Sequence, residues 1–160
     1  MSHDEKPDAA IISAAINPSD GENDYFITRG GQRYAGVHLL IDLYGAAHLN
    51  DTAYIEATLM DCINASGATL LNMHLHPFDP TGVSGVAVLA ESHISVHTWP
   101  EQGFAAFDVF MCGNTKPEVC ADIMKAAFKP AHMKITEQLR GKVIDTADNN
   151  AASKATNHDK

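Results

Sequence analysis

The sequence predicts an α+β fold: a two-layer sandwich in which a mainly antiparallel sheet carries two helices on one face. Three features point there. Short apolar runs bounded by Gly, Pro and Asp recur through the middle of the chain. Only two stretches space their apolar residues as helices do. The resulting order, β-α-β-β-β-β-α-β, contains three directly linked strand pairs, which suit hairpins rather than parallel crossovers.

The elements follow in chain order. Val37-His-Leu-Leu-Ile-Asp-Leu43 is apolar enough for a mostly buried strand. From about Asp51 to Ser66 a helix is expected, because Ile55, Leu59, Cys62 and Ile63 recur at i, i+4, i+7 and i+8 and Gly67 stands where a left-handed cap would end it. Thr69 to His76 and Val83 to Ala90 read as strands, with Pro77, Asp79, Pro80 and Gly82 marking the turn between them. His93 to Thr98 and Phe104 to Met111 make a further pair across Trp-Pro-Glu-Gln-Gly. The second helix is expected to start at Thr115-Lys-Pro-Glu118, a capping-box pattern, to bury Val119, Ile123 and Ala127, and to stop at Pro130. His132 to Arg140 closes the pattern as a strand. Residues 1–33 read as a flexible extension, 34–143 as the one folded domain and 144–160 as a flexible tail without apolar periodicity.

Composition excludes several function classes. At 160 residues and 45% hydrophobic, the chain can bury one sizeable core. A net charge of −9 argues against nucleic acid as a partner. No apolar run approaches the roughly 18 residues of a membrane span, and the N-terminus lacks a basic region leading into an apolar one. Cys62, Cys112 and Cys120 form no CxxC pair and are odd in number, so neither a disulfide framework nor a structural zinc site is expected, and a reducing cytoplasm is. His74 and His76 would share a strand face, near His93 and His97, but nothing fixes a further ligand, so no metal is expected.

The basic residues are unevenly spread. Between Tyr34 and Thr115 there is no Lys or Arg, while Asp42, Asp51, Glu91, Glu101 and Asp108 are among the acidic residues there. That core has no lysine to form a Schiff base with pyridoxal phosphate and no P-loop lysine or Arg fork to grip a phosphate. A site built from it suits a cationic ligand, although keeping charge out of a buried sheet would leave the same pattern.

The chemistry-bearing residues concentrate in and beside Gly82-Val-Ser-Gly-Val-Ala-Val-Leu-Ala-Glu-Ser-His-Ile-Ser-Val-His-Thr-Trp-Pro-Glu101. Singly each has a plain reading: Ser84 as a turn serine, His97 and Phe78 as core, Cys112 as a buried thiol. A strand core does not need so many reactive groups together. Ser92 and Ser95 are equally open as nucleophiles on these grounds.

The segment Glu91-Ser-His-Ile-Ser-Val-His-Thr-Trp-Pro-Glu101 closely resembles the self-cleaving site of the bacterial and archaeal S-adenosylmethionine decarboxylases. The likeness extends over about residues 34–140, including Gly36-Val-His-Leu-Leu-Ile-Asp-Leu-Tyr-Gly45 and Ser66-Gly-Ala-Thr-Leu-Leu71, and departs from the family where Gln102 and Phe104 replace tyrosines. It implies cleavage between Glu91 and Ser92 into a β chain of 1–91 and an α chain of 92–160, with Ser92 converted to a covalent pyruvoyl cofactor. The ketone of that group takes the substrate amine as a Schiff base, and the neighbouring amide carbonyl receives the electrons of decarboxylation. By the same resemblance His97 is the base of processing, Ser84 its assisting hydroxyl and Cys112 the proton donor in catalysis. Phe78 stacks on adenine, and Glu101 lies near the ribose.

The implied activity is decarboxylation of S-adenosylmethionine to the aminopropyl donor of spermidine synthesis. A pyruvoyl-dependent arginine or ornithine decarboxylase and a non-catalytic subunit are the alternatives. One further expectation is geometric. Ser84 and Ser92 are eight residues apart, about 26 Å along a straight strand, so either the chain folds back or a second subunit supplies Ser84. The expectation is a homodimer whose sites are shared between protomers.

Overall fold

The computed structural model describes residues 26–143, so residues 1–25 and 144–160, and what the sequence suggests of them, lie outside it. The strands are β1 (Ile27–Arg29), β2 (Gln32–Tyr34), β3 (Gly36–Tyr44), β4 (Leu70–Pro77), β5 (Val83–Leu89), β6 (Ser92–Trp99), β7 (Phe104–Cys112) and β8 (His132–Arg140). The helices are α1 (Thr52–Ser66) and α2 (Val119–Phe128), and a single 3-10 turn spans Pro100–Gln102. Six strands form one sheet in the order β4-β5-β6-β7-β3-β8, every neighbouring pair antiparallel. This is the expected α+β sandwich.

Alternation sorts the two faces of the sheet. Val37, Leu39, Ile41 and Leu43 of β3 are buried, as are Ile94 and Val96 of β6 and Ala105, Phe107, Val109 and Met111 of β7. They pack with Ile55, Leu59, Cys62 and Ile63 of α1 and Met124 and Phe128 of α2 into one core. Burying each large side chain there stabilises the fold by about 1.5–3 kcal/mol. Among the described residues no helix packs on the opposite face, where Leu40, Tyr44, Val86, Val88 and Trp99 are exposed. Among the described residues no helix is long and apolar enough to cross a membrane.

The first helix forms where its spacing predicts. Asp51 caps it by accepting the Tyr54 N–H at 3.0 Å, and Gly67 ends it with φ 76. The second differs in two respects. Its capping box does not form: Thr115 Oγ1 instead donates to Cys112 O at 2.8 Å, and the helix opens through i→i−3 bonds from Val119 to Lys116, Cys120 to Pro117 and Ala121 to Glu118. Its deepest stripe is Cys120, Met124 and Phe128, one residue beyond the expected one. Val119, Ile123 and Ala127 are only half-buried, because Ile123 and Ala127 turn toward an outer groove shared with Asp61 and Asn64 of α1.

Residues 27–33 are not an irregular extension, and the folded part begins before residue 34. Ile27–Arg29 pairs with Gln32–Tyr34 in a two-residue hairpin across Gly30 and Gly31, whose φ values are 56 and 79. Two successive positive-φ glycines are what a primed turn requires, so Arg29-Gly-Gly-Gln32 was a hairpin signal rather than a break. Val143 N–H donates to Arg33 O, tying the end of the described chain to this hairpin.

Candidate active site

The chain does fold back between Ser84 and Ser92: β5 and β6 are a hairpin with Ala90 and Glu91 as its turn, pairing Leu89 with Ser92. Folding back does not bring the two serines together. Ser84 pairs with His97, five residues along β6 from Ser92, a separation of about 17 Å. The expected site residues therefore fall into two groups at opposite ends of these strands.

The first group surrounds Ser92. Its hydroxyl lies 3.2 Å from the Cys112 thiol, and the Glu91 carbonyl accepts the Cys112 backbone N–H at 3.1 Å. Ser92 has φ 148, a backbone region that costs a non-glycine residue roughly 1–3 kcal/mol. That strain sits on the residue following the candidate scissile bond. Room for the thiol comes from Gly36, opposite Cys112 on β3: a Cβ there would lie 2.6 Å from Met111 O, 2.9 Å from the Phe110 ring and 3.0 Å from Cys112 Sγ.

The second group holds Ser84, His97, Phe78 and Glu101. Ser84 Oγ and His97 Nδ1 are hydrogen-bonded at 2.7 Å, and His97 is exposed rather than core. His76 pairs with Ser84 from β4 and meets Phe78 edge-to-face at 4.8 Å. Phe78 is 50% exposed, which removes its plain reading as a core residue. Glu101 lies in the 3-10 turn after β6, at the same end.

A profile of the S-adenosylmethionine decarboxylase family matches residues 37–141. The S-adenosylmethionine decarboxylase proenzyme of Thermomicrobium roseum is 39% identical over 112 residues, 69% of this chain and 97% of that one. The proenzyme of Methanococcus aeolicus is 43% identical over 116 residues, 71% of this chain and 99% of that one. The chain belongs to the S-adenosylmethionine decarboxylase family. The crystal structure of the adenosylmethionine decarboxylase of Aquifex aeolicus superposes with a TM-score of 0.64 at 33% identity, covering 70% of this chain and 95% of that one.

Beyond the residues that the decarboxylase motif named, the sheet's open face holds a polar chain that linear reading missed. Arg140 Nη1 donates to His38 Nδ1 at 3.2 Å, since a guanidinium cannot accept. His38 Nε2–H therefore donates to Asp108 Oδ1 at 3.0 Å, and Ser95 Oγ donates to Asp108 Oδ2 at 3.1 Å. Ser95, open as a nucleophile from sequence, is engaged here. Arg140 also stands over the Phe110 ring at 5.4 Å. Thus the stretch without basic residues gains a guanidinium from β8, a residue its own composition does not reveal.

Cys62 and Cys120 are fully buried between the helices. Hydrogen bonding to Cys120, followed by burial, pushes the Cys62 thiol up, which keeps it protonated and unreactive. Among the described residues no group of three or more His, Cys, Asp or Glu is arranged to hold a metal.

Proposed function

We propose that this chain is the precursor of a pyruvoyl-dependent S-adenosylmethionine decarboxylase that cuts itself between Glu91 and Ser92. The observation that carries the proposal is the junction itself: a strained Ser92, its hydroxyl beside Cys112, directly after a carbonyl held by a backbone N–H. The residues fit a cofactor made from serine, because the segment from Tyr34 to Thr115 has no lysine to anchor another carbonyl cofactor.

The Ser92 hydroxyl attacks the Glu91 carbonyl carbon, and the Glu91–Ser92 C–N bond breaks to leave an ester and a free Ser92 amine. The Cys112 N–H steadies the charge on the carbonyl oxygen as the bond forms. His97, oriented by Ser84, then removes the Ser92 α-proton and the ester eliminates, releasing Glu91 as a carboxylate. Water hydrolyses the resulting dehydroalanine, through its imine, with loss of ammonia. The pyruvoyl group supplies the electron sink that α-decarboxylation requires. In turnover the Cys112 thiol gives its proton to the substrate carbon that has lost its carboxylate.

Removal of the Ser92 α-proton needs His97 beside Ser92, and one chain holds them about 17 Å apart. The site is therefore composed from two copies in a homodimer, Ser92 and Cys112 of one meeting Ser84 and His97 of the other. The sheet face on which Leu40, Tyr44, Val86, Val88 and Trp99 are exposed among the described residues supports this. A symmetric pairing through that face forms two equivalent sites. Three free cysteines fit a reducing cytoplasm.

The substrate is S-adenosylmethionine rather than arginine or ornithine, because exposed Phe78 offers an aromatic face to adenine or to the sulfonium charge. CO₂ release by the cleaved protein from all three compounds tests the choice. S-adenosylmethionine is expected to lead by at least about a hundredfold in kcat/KM. Faster release from arginine or ornithine would move the substrate, and no release from any of them would favour a non-catalytic subunit.

A further inference from the structure

The Ser66-Gly-Ala-Thr-Leu-Leu71 segment has no part in the chemistry above, yet Thr69 reaches the cleavage site. It stands just before β4, exposed, and holds the Ala90–Glu91 turn at three points. Ala90 N–H donates to Thr69 O at 2.9 Å. Thr69 N–H donates to Glu91 Oε2 at 3.0 Å, and Thr69 Oγ1 to Glu91 Oε1 at 3.2 Å. From the other side the Cys112 N–H holds the Glu91 carbonyl.

A two-residue hairpin turn normally places positive φ on its central residues, which favours Gly or Asn. Neither Ala90 nor Glu91 has positive φ; the next residue, Ser92, does. The conformational demand of the turn is thus displaced onto the residue that must react. An unrestrained turn of this composition would relax by moving Glu91, and the grip of Thr69 on both carboxylate oxygens opposes that movement.

We propose that Thr69 is a positioning residue of self-cleavage. It keeps the strain on Ser92 and the Glu91 carbonyl against the Cys112 N–H, where the Ser92 hydroxyl attacks. In that step the Oγ–C bond forms, the C–N bond breaks and the hydroxyl proton passes to the departing nitrogen. The proposal rests on the self-cleaving reading given above, and its test separates the two.

Cleavage is followed by intact mass in the full chain, in Thr69→Val, in Thr69→Ser, in Glu91→Ala and in the Thr69→Val/Glu91→Ala double variant. Loss of one hydroxyl–carboxylate hydrogen bond in Thr69→Val is expected to slow cleavage about fivefold, with Thr69→Ser restoring most of the rate. On Glu91→Ala, Thr69→Val should add nothing, because the partner is already gone. A merely structural threonine would give losses that multiply. In a His97→Ala background, where α-proton removal is blocked, hydroxylamine cuts whatever ester has formed at residue 91. Thr69→Val should lower the rate at which that ester accumulates. Cleavage of Thr69→Val at the full chain's rate, or multiplying losses in the double variant, overturns the positioning role while self-cleavage stands. No cleavage of the unsubstituted chain removes both.

Discussion

Co-expressed in equal amounts, His97→Ala and Ser92→Ala chains are expected to give cleavage of about half the His97→Ala chains, although neither variant cuts itself alone. In a mixed dimer, the Ser92 of the His97→Ala chain meets the intact His97 of its partner, so one of the two composite sites is complete. The other combines both lesions and stays dead. Random pairing puts about half of the His97→Ala chains in such dimers. Different affinity tags distinguish the chains by mass. The expectation follows from the five-residue offset between the Ser84–His97 pair and Ser92 along β6, a distance one protomer has no means to close. If the His97→Ala chain stays whole in the mixture, the site lies within one chain and the shared-site account is wrong.

Cys112→Ala is expected to separate the two activities. Turnover should fall about 10²- to 10⁴-fold, the range for loss of a positioned acid, with KM changed little. Self-cleavage should persist, because the group that Cys112 lends to the Glu91 carbonyl is its backbone N–H, which alanine retains. Steady-state decarboxylation and intact mass on the same preparation measure both. Unchanged turnover would remove the thiol from catalysis. A chain that stays uncut would mean that the thiol, 3.2 Å from Ser92 Oγ, acts in processing as well.

Much of this molecule is legible in the linear chain, for local reasons. The α1 stripe of Ile55, Leu59, Cys62 and Ile63 and the glycine stop at Gly67 are short-range signals, and all reappear in the fold. Strand bounds shift by about a residue: Val83–Leu89 where Val83–Ala90 was expected, and Ser92–Trp99 where His93–Thr98 was. What failed depended on partners distant in sequence. Thr115 matches a capping box, but the Cys112 carbonyl offers its hydroxyl a bond within reach. Which side of α2 faces the core is decided by where α1 lies, and spacing alone could not choose between the Val119 and Cys120 stripes. At the site, Ser84, Ser92, His97 and Glu101 were conspicuous because they crowd one segment, while the roles proposed for them and for Phe78 and Cys112 came from the family resemblance. Arg140, His38 and Thr69 were not conspicuous, since Arg140 and His38 reach the open face from β8 and β3, and Thr69 reaches the cleavage turn from the connection before β4.

In the proposed mechanism Ser92 becomes the cofactor through cleavage of its own chain. Intact mass under denaturing conditions, with Ser92→Ala alongside, tests it most directly. The unsubstituted chain is expected to give fragments of residues 1–91 and 92–160, the second blocked by a pyruvoyl group at its start, and Ser92→Ala a single uncut chain. An unsubstituted chain that stays whole on long incubation, identical in behaviour to Ser92→Ala, would contradict it.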